Sequence, residues 1–114
     1  MHEVSVAEGL LATAVAHCLD SGYSRIETVR IRIGKASGVM PEALLFAFDA
    51  MKDGTIASDA ALEIETVRVA GNCSSCHLDF SVEDNYVLCC PVCGGTSFTV
   101  HSGRELDITE LEVV

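Results

Sequence analysis

Positive charge is scarce in this chain. Its 114 residues carry 7 Lys+Arg against 17 Asp+Glu, a formal charge of −10. Such a surface repels a phosphate backbone, which argues against nucleic acid as a partner. It attracts cations or a basic protein face, by long-range steering. Long apolar runs are also missing: the longest falls far short of the roughly 18 residues that span a bilayer, and no basic leader is visible. The expectation is a cytoplasmic protein with no membrane partner. There is no internal repeat or low-complexity stretch, and no pair of titratable groups marks a catalytic pocket, so an enzyme is not expected. What the chain does have is apolar content, 49% of its residues. At this length that supports one domain with a real core, or one small domain carrying a smaller module.

The hydrophobic period alternates along the chain. Ser5-Val6-Ala7-Glu8 has the form of a capping box, which predicts a helix start at Ser5. Leu10, Ala14 and Cys18, flanked by Leu11, Val15 and Leu19, then give a broad apolar face that Gly22 ends. From Arg25 to Gly34, Val29, Ile31 and Ile33 alternate with Thr28, Arg30 and Arg32, a half-buried strand. Pro41 suits the first turn of a second helix, with Glu42 favourable to its dipole. Leu44, Leu45, Phe48 and Met51 form its face, and Asp53-Gly54 stops it. Ala61 to Val69 alternates again. After a cysteine-rich stretch, Glu105 to Val114 resumes alternation, as a third strand returning to the first sheet. The reading is an α+β fold, two helices on a three-stranded sheet, with an inserted zinc-ribbon-like module.

Five of the six cysteines lie in that insertion. Cys73-Ser-Ser-Cys76 and Cys90-Pro-Val-Cys93 put two thiolates on each of two tight turns, and two such turns complete a tetrahedron around Zn(II). Pro91 and Gly94-Gly95 suit the sharp second turn. In a reducing compartment cysteines serve as metal ligands or buried thiols sooner than as disulfides. Four closed thiolates leave no open position, so the metal is structural or, if iron, electron-transferring. In so small a segment, zinc binding contributes folding energy on the order of 10 kcal/mol. Cys89 reads as a small buried residue ending a strand Tyr86-Val87-Leu88, and Cys18 as core. His17 reads as packed or solvated. His77 and His101 lie near the module as second-shell or alternative ligands.

The first residues offer a second metal site. The α-amine of Met1, the amides after it and the imidazole of His2 can chelate one small cation in fused rings, which suits Ni(II) or Cu(II). The bland alternative is a frayed terminus.

Together these residues resemble a family. Met1-His2-Glu3-Val-Ser-Val-Ala-Glu8 opening a helix, the strand ending Arg32-Ile-Gly34, the Pro41-Glu42-Ala-Leu-Leu-Phe46-Ala-Phe48 helix, the paired C-x2-C turns and Ser102-Gly-Arg-Glu-Leu106 are similar, in this order, to the HypA/HybF hydrogenase maturation nickel metallochaperones. The resemblance covers essentially the whole chain. It implies a nickel-binding α+β domain (1–69 plus 104–114) with an inserted zinc-binding module (70–103). It further implies Ni(II) ligation by Met1, His2 and Glu3, and zinc held by Cys73, Cys76, Cys90 and Cys93. The implied role is delivery of nickel to the large subunit of [NiFe]-hydrogenase with a HypB-type GTPase, and in some members also to urease. A carboxylate that some relatives are thought to add from the start of the second helix has no aspartate counterpart in Met40-Pro41-Glu42. Two other readings compete: a zinc-ribbon protein–protein adaptor in which His2 is incidental, and a rubredoxin-like electron carrier.

Overall fold

The structure, a computed structural model, describes residues 2–114. Eight elements follow in order: α1 (His2–Asp20), β1 (Ile26–Gly34), α2 (Pro41–Met51), β2 (Ala61–Val67), β3 (Val69–Cys73), β4 (Asp79–Val82), β5 (Phe98–Ser102) and β6 (Leu106–Val113). They make two three-stranded sheets, ordered β2-β1-β6 and β4-β3-β5. The last strand therefore does return to the first sheet, beside β1.

α1 buries Ala7, Leu10, Leu11, Ala14 and Cys18, one stripe at helical spacing. Leu19, expected on that stripe, is instead exposed. The helix starts at His2, so Ser5 and Glu8 lie inside it, and the capping-box reading is corrected. Any Ser-x-x-Glu on a helix surface satisfies that local pattern. The first turn of α1 is tied to a point far along the chain: the Glu3 carboxylate accepts the Met40 amide at 3.1 Å. The other end follows the sequence. Gly22 takes φ +85, Tyr23 N–H reaches Cys18 O at 3.0 Å and Gly22 N–H reaches Leu19 O at 3.1 Å, the paired bonds of a Schellman stop.

α2 opens with Pro41 after Met40, whose backbone is extended and whose side chain makes no cap. Its buried residues are Leu44, Ala47 and Phe48. Leu45, placed by the sequence on this face, points outward, because Ala47 and not Leu45 continues the i, i+3, i+4 stripe. β1 buries Val29, Ile31 and Ile33 on one side, and Ile26 at its start. On its other side Arg30 donates to Glu63 on β2 at 2.8 Å and to Glu110 on β6 at 2.6 Å, and lies 3.3 Å from Glu112. One guanidinium thus ties all three strands of the first sheet.

Contacts divide the chain into two compact units. The first comprises the chain up to residue 31, 39–65 and 107–114, and holds both helices. The second comprises 32–38 and 66–106. In the second, β3 pairs antiparallel with both neighbours, Gly71 opposite Phe80 on one side and Val100 on the other. The strand expected over Ala61–Val69 is two strands broken at Arg68. Its carbonyl accepts the Ser102 hydroxyl, and its guanidinium binds Ser81 and Glu83, so side chains of the second sheet hold the chain where it changes ladder. Gly103 sits at φ +113, where a Cβ would press on the Val69 backbone. A Cβ on Gly34 would overlap the Gly103 carbonyl. The tight crossing is held by Gly34 N–H to Glu105 O at 2.8 Å and Ala36 N–H to Gly103 O at 2.6 Å.

Candidate metal centres

The two cysteine turns are built alike. In the first, Cys73 ends β3, and the His77 amide reaches back to Cys73 O at 2.9 Å. In the second, the Gly94 amide reaches Cys90 O at 2.8 Å. The residue after each second cysteine is left-handed, His77 at φ 63 and Gly94 at φ 77. Each turn aims amides at sulfur: Cys76 N–H lies 3.5 Å from Cys73 Sγ, and Gly95 N–H lies 3.4 Å from Cys93 Sγ. Such donors stabilise thiolates, which are the metal-binding form.

The four sulfurs of Cys73, Cys76, Cys90 and Cys93 all lie within 4.8 Å of one another. Cys73 and Cys93 are 3.6 Å apart and Cys76 and Cys90 3.8 Å. A Zn–S bond of about 2.3 Å in a regular tetrahedron requires sulfur–sulfur edges of about 3.8 Å. The spacing fits zinc and is far too long for a disulfide. Cys73 and Cys90 are buried, with Phe80 completing a small core that Val82, Val87 and Phe98 flank. The Phe80 and Phe98 rings meet edge to face at 5.7 Å.

Crowding four thiols sets their acidities apart. The Cys76 amide, then that of Ser75 and the neighbouring thiols, lower Cys73 to about 6 against its burial. At Cys93 the Gly95 amide is outweighed by the neighbouring sulfurs and by burial, which push it up to about 11. Cys76 is also raised, since burial and Cys73 overcome the Leu78 amide. Cys73 forms its thiolate easily whereas Cys76 and Cys93 resist, until a cation gathers the sulfurs and releases their protons.

The remaining candidates fall outside this cluster. His77 and His101 are exposed, and among the described residues the cluster contains cysteines only. His77 shapes the first turn, a role that the sequence reading missed and that its match to Gly94 could have signalled. Residues 86–88 form no strand, and Cys89 is exposed, which corrects the buried reading. With no ladder over this stretch, Cys90 turns inward and its neighbour outward. Cys18 is buried, its Sγ 3.9 Å from Arg25 O. His17 is exposed on the last turn of α1.

At the amino terminus, Met1 lies outside the described residues. His2 and Glu3 occupy the first turn of α1, where amide groups have no intrahelical acceptor. The His2 side chain is 59% exposed, with Nδ1 4.0 Å from a Glu3 carboxylate oxygen. Glu3 is held below the usual carboxylate range, first by the Met40 amide, then by its own amide, with His2 and the terminal amine adding. An ionised carboxylate beside an accessible imidazole is a donor pair for a divalent metal. The link from Glu3 to Met40 spans 37 positions, and no local pattern announces it.

Known proteins resemble this chain over nearly its whole length. The family described as "Hydrogenase/urease nickel incorporation, metallochaperone, hypA" matches residues 1–113. The hydrogenase maturation factor HypA of Methylocella silvestris is 38% identical over 113 residues, 99% of each chain. That of a Picosynechococcus species is 40% identical over 114 residues, the whole of both. The solution structure of the Ni metallochaperone HypA from Helicobacter pylori aligns with a TM-score of 0.70 at 25% identity, covering 98% of this chain and 97% of that one. A second HypA solution structure aligns at 0.73 and 26%, covering 100% and 97%. The family is one of nickel metallochaperones, and the four-cysteine cluster fits structural zinc. The chain belongs to the HypA family of nickel metallochaperones of hydrogenase maturation.

Proposed function

We propose that this protein binds Ni(II) at its amino terminus through Met1, His2 and Glu3 and delivers it to the large subunit of [NiFe]-hydrogenase. It acts in the cytoplasm as a carrier rather than an enzyme, with a HypB-type GTPase, and serves urease where a host has one. Residues 1–69 and 104–114 form the nickel-binding part, and the inserted residues 70–103 hold Zn(II) through Cys73, Cys76, Cys90 and Cys93. The observation that supports the nickel site is the pairing of accessible His2 with the anchored Glu3 carboxylate on one helical turn. A terminal site suits delivery, because its ligands can be withdrawn one at a time by a client with few protein groups rearranging.

The test is a nickel titration of zinc-loaded protein with an untagged amino terminus, run beside His2→Ala. Roughly stoichiometric binding that the variant loses, with fold and zinc content unchanged, supports the assignment. Equal binding by both proteins overturns it. Amine and imidazole must both be unprotonated, so affinity should fall as pH is lowered from about 8 to about 6.

A further inference from the structure

α2 carries two opposite stripes, each at the i, i+3, i+4, i+7 spacing of one helix face. The inward stripe is Leu44, Ala47, Phe48 and Met51, the first three buried. The outward stripe is Glu42, Leu45, Phe46 and Asp49, all exposed. Its two middle positions are apolar, and Phe46 stands 79% exposed. Met40, just before the helix, is 61% exposed. A scattered exposed leucine carries no message. A phenylalanine open to water, with a leucine beside it and a methionine just before their helix, has the composition of an interface anchor.

Charge says what can cover it. The unit that holds α2 has three Lys+Arg against thirteen Asp+Glu, so the whole formal charge of −10 resides there. Glu42 and Asp49 bracket the apolar pair one turn to either side. Asp49 is exposed on this face, and meets Lys52, whose side chain is only 19% exposed, at 3.0 Å. A second copy of this face would set carboxylate against carboxylate, and an anionic lipid surface would be repelled. The complement is a protein segment with large apolar side chains flanked by lysine or arginine. The stripe starts two residues beyond the Met40 amide that anchors Glu3.

We propose that the outward face of α2, Leu45 and Phe46 bracketed by Glu42 and Asp49, docks a basic amphipathic segment of a partner protein beside the nickel site. The proposal rests on the delivery reading for its purpose, whereas the exposure and charge stand without nickel.

The probe is a labelled helical peptide of leucine and lysine, about 14 residues long, titrated into zinc-loaded, nickel-free full-length protein by fluorescence anisotropy. Phe46→Ala should weaken binding about tenfold, and the uncharged but bulky Phe46→Gln should do likewise. Glu42→Gln with Asp49→Asn should weaken binding and flatten its salt dependence. Asp20→Asn with Glu65→Gln, which removes equal charge elsewhere on the same unit, should change affinity less than about twofold. Peptide-induced amide shifts should centre on residues 42–49. Equal losses from the two charge pairs with silent Phe46 variants would reduce the effect to net charge and overturn the proposal. So would a dimer in light scattering that Phe46→Ala returns to monomer, which would make the face a self-interface. His2→Ala should bind the peptide as wild type does, so a failed nickel site and a failed docking face give different results.

Discussion

Glu3 serves the fold as well as the proposed nickel site. Its carboxylate takes the Met40 amide just ahead of α2, where the N-cap side chain contributes nothing. Because its acidity is raised by that amide, the sign of its pH effect follows. A depressed carboxylate stabilises the fold above its unfolded pKa, and this is lost as pH falls through its folded pKa. Nickel-free Glu3→Ala should therefore melt below wild type at pH 7, and the gap should narrow as pH falls below the ordinary carboxylate range. A gap that persists in acid would assign the effect to packing rather than to charge. Arg30 makes a similar test on the sheet. Arg30→Met leaves Glu63, Glu110 and Glu112 facing one another, so the melting temperature should drop, and more at low salt than at high salt.

At the scale of elements, the two cysteine turns share one backbone path but not one residue at its left-handed position. Glycine takes that conformation without strain, whereas histidine resists it. His77→Gly should stabilise the second unit by about 0.5–1 kcal/mol, and Gly94→Ala should destabilise it by a similar amount. Thermal melts, with zinc retention against a chelator, read both. If His77→Gly instead lost zinc, the imidazole would be holding the metal site and not merely its turn.

The same contrast shows what the sequence makes legible. Paired C-x2-C turns announce four sulfurs because their spacing is local chemistry, and helical and alternating periods announce both helices and the sheet. Other features depend on partners distant in the chain. The first turn of α1 is tied to Met40, and the outward turn of Leu45 is set by which residues the core accepts. The break at Arg68 is set by Ser81, Glu83 and Ser102. Cys89 is exposed because the apolar run before it, strand-like in sequence, has no ladder to support it.

At the scale of the molecule, the two units draw their stability from different sources. The first has a conventional core beneath two helices, with twelve of its apolar side chains, from Ala7 to Phe48, under a tenth exposed. The second has one three-stranded sheet and a core centred on two cysteines and one phenylalanine. Sheets this small need a staple, and here the staple is four sulfurs that repel as thiolates and cohere around a cation. Cys73→Ser removes the acidified thiol at the end of β3 and leaves three ligands on separated turns. Zinc content should fall below stoichiometry in the purified variant. Amide signals of residues 69–102 should lose their dispersion while those of α1 and α2 persist. Acid should mimic this, with zinc released as pH drops and protons reclaim the sulfurs. If the variant kept both its zinc and the dispersion of β3 to β5, the ladder would be self-supporting. The cluster would then be a passenger on the fold, and the division of labour between the units would have to be sought elsewhere.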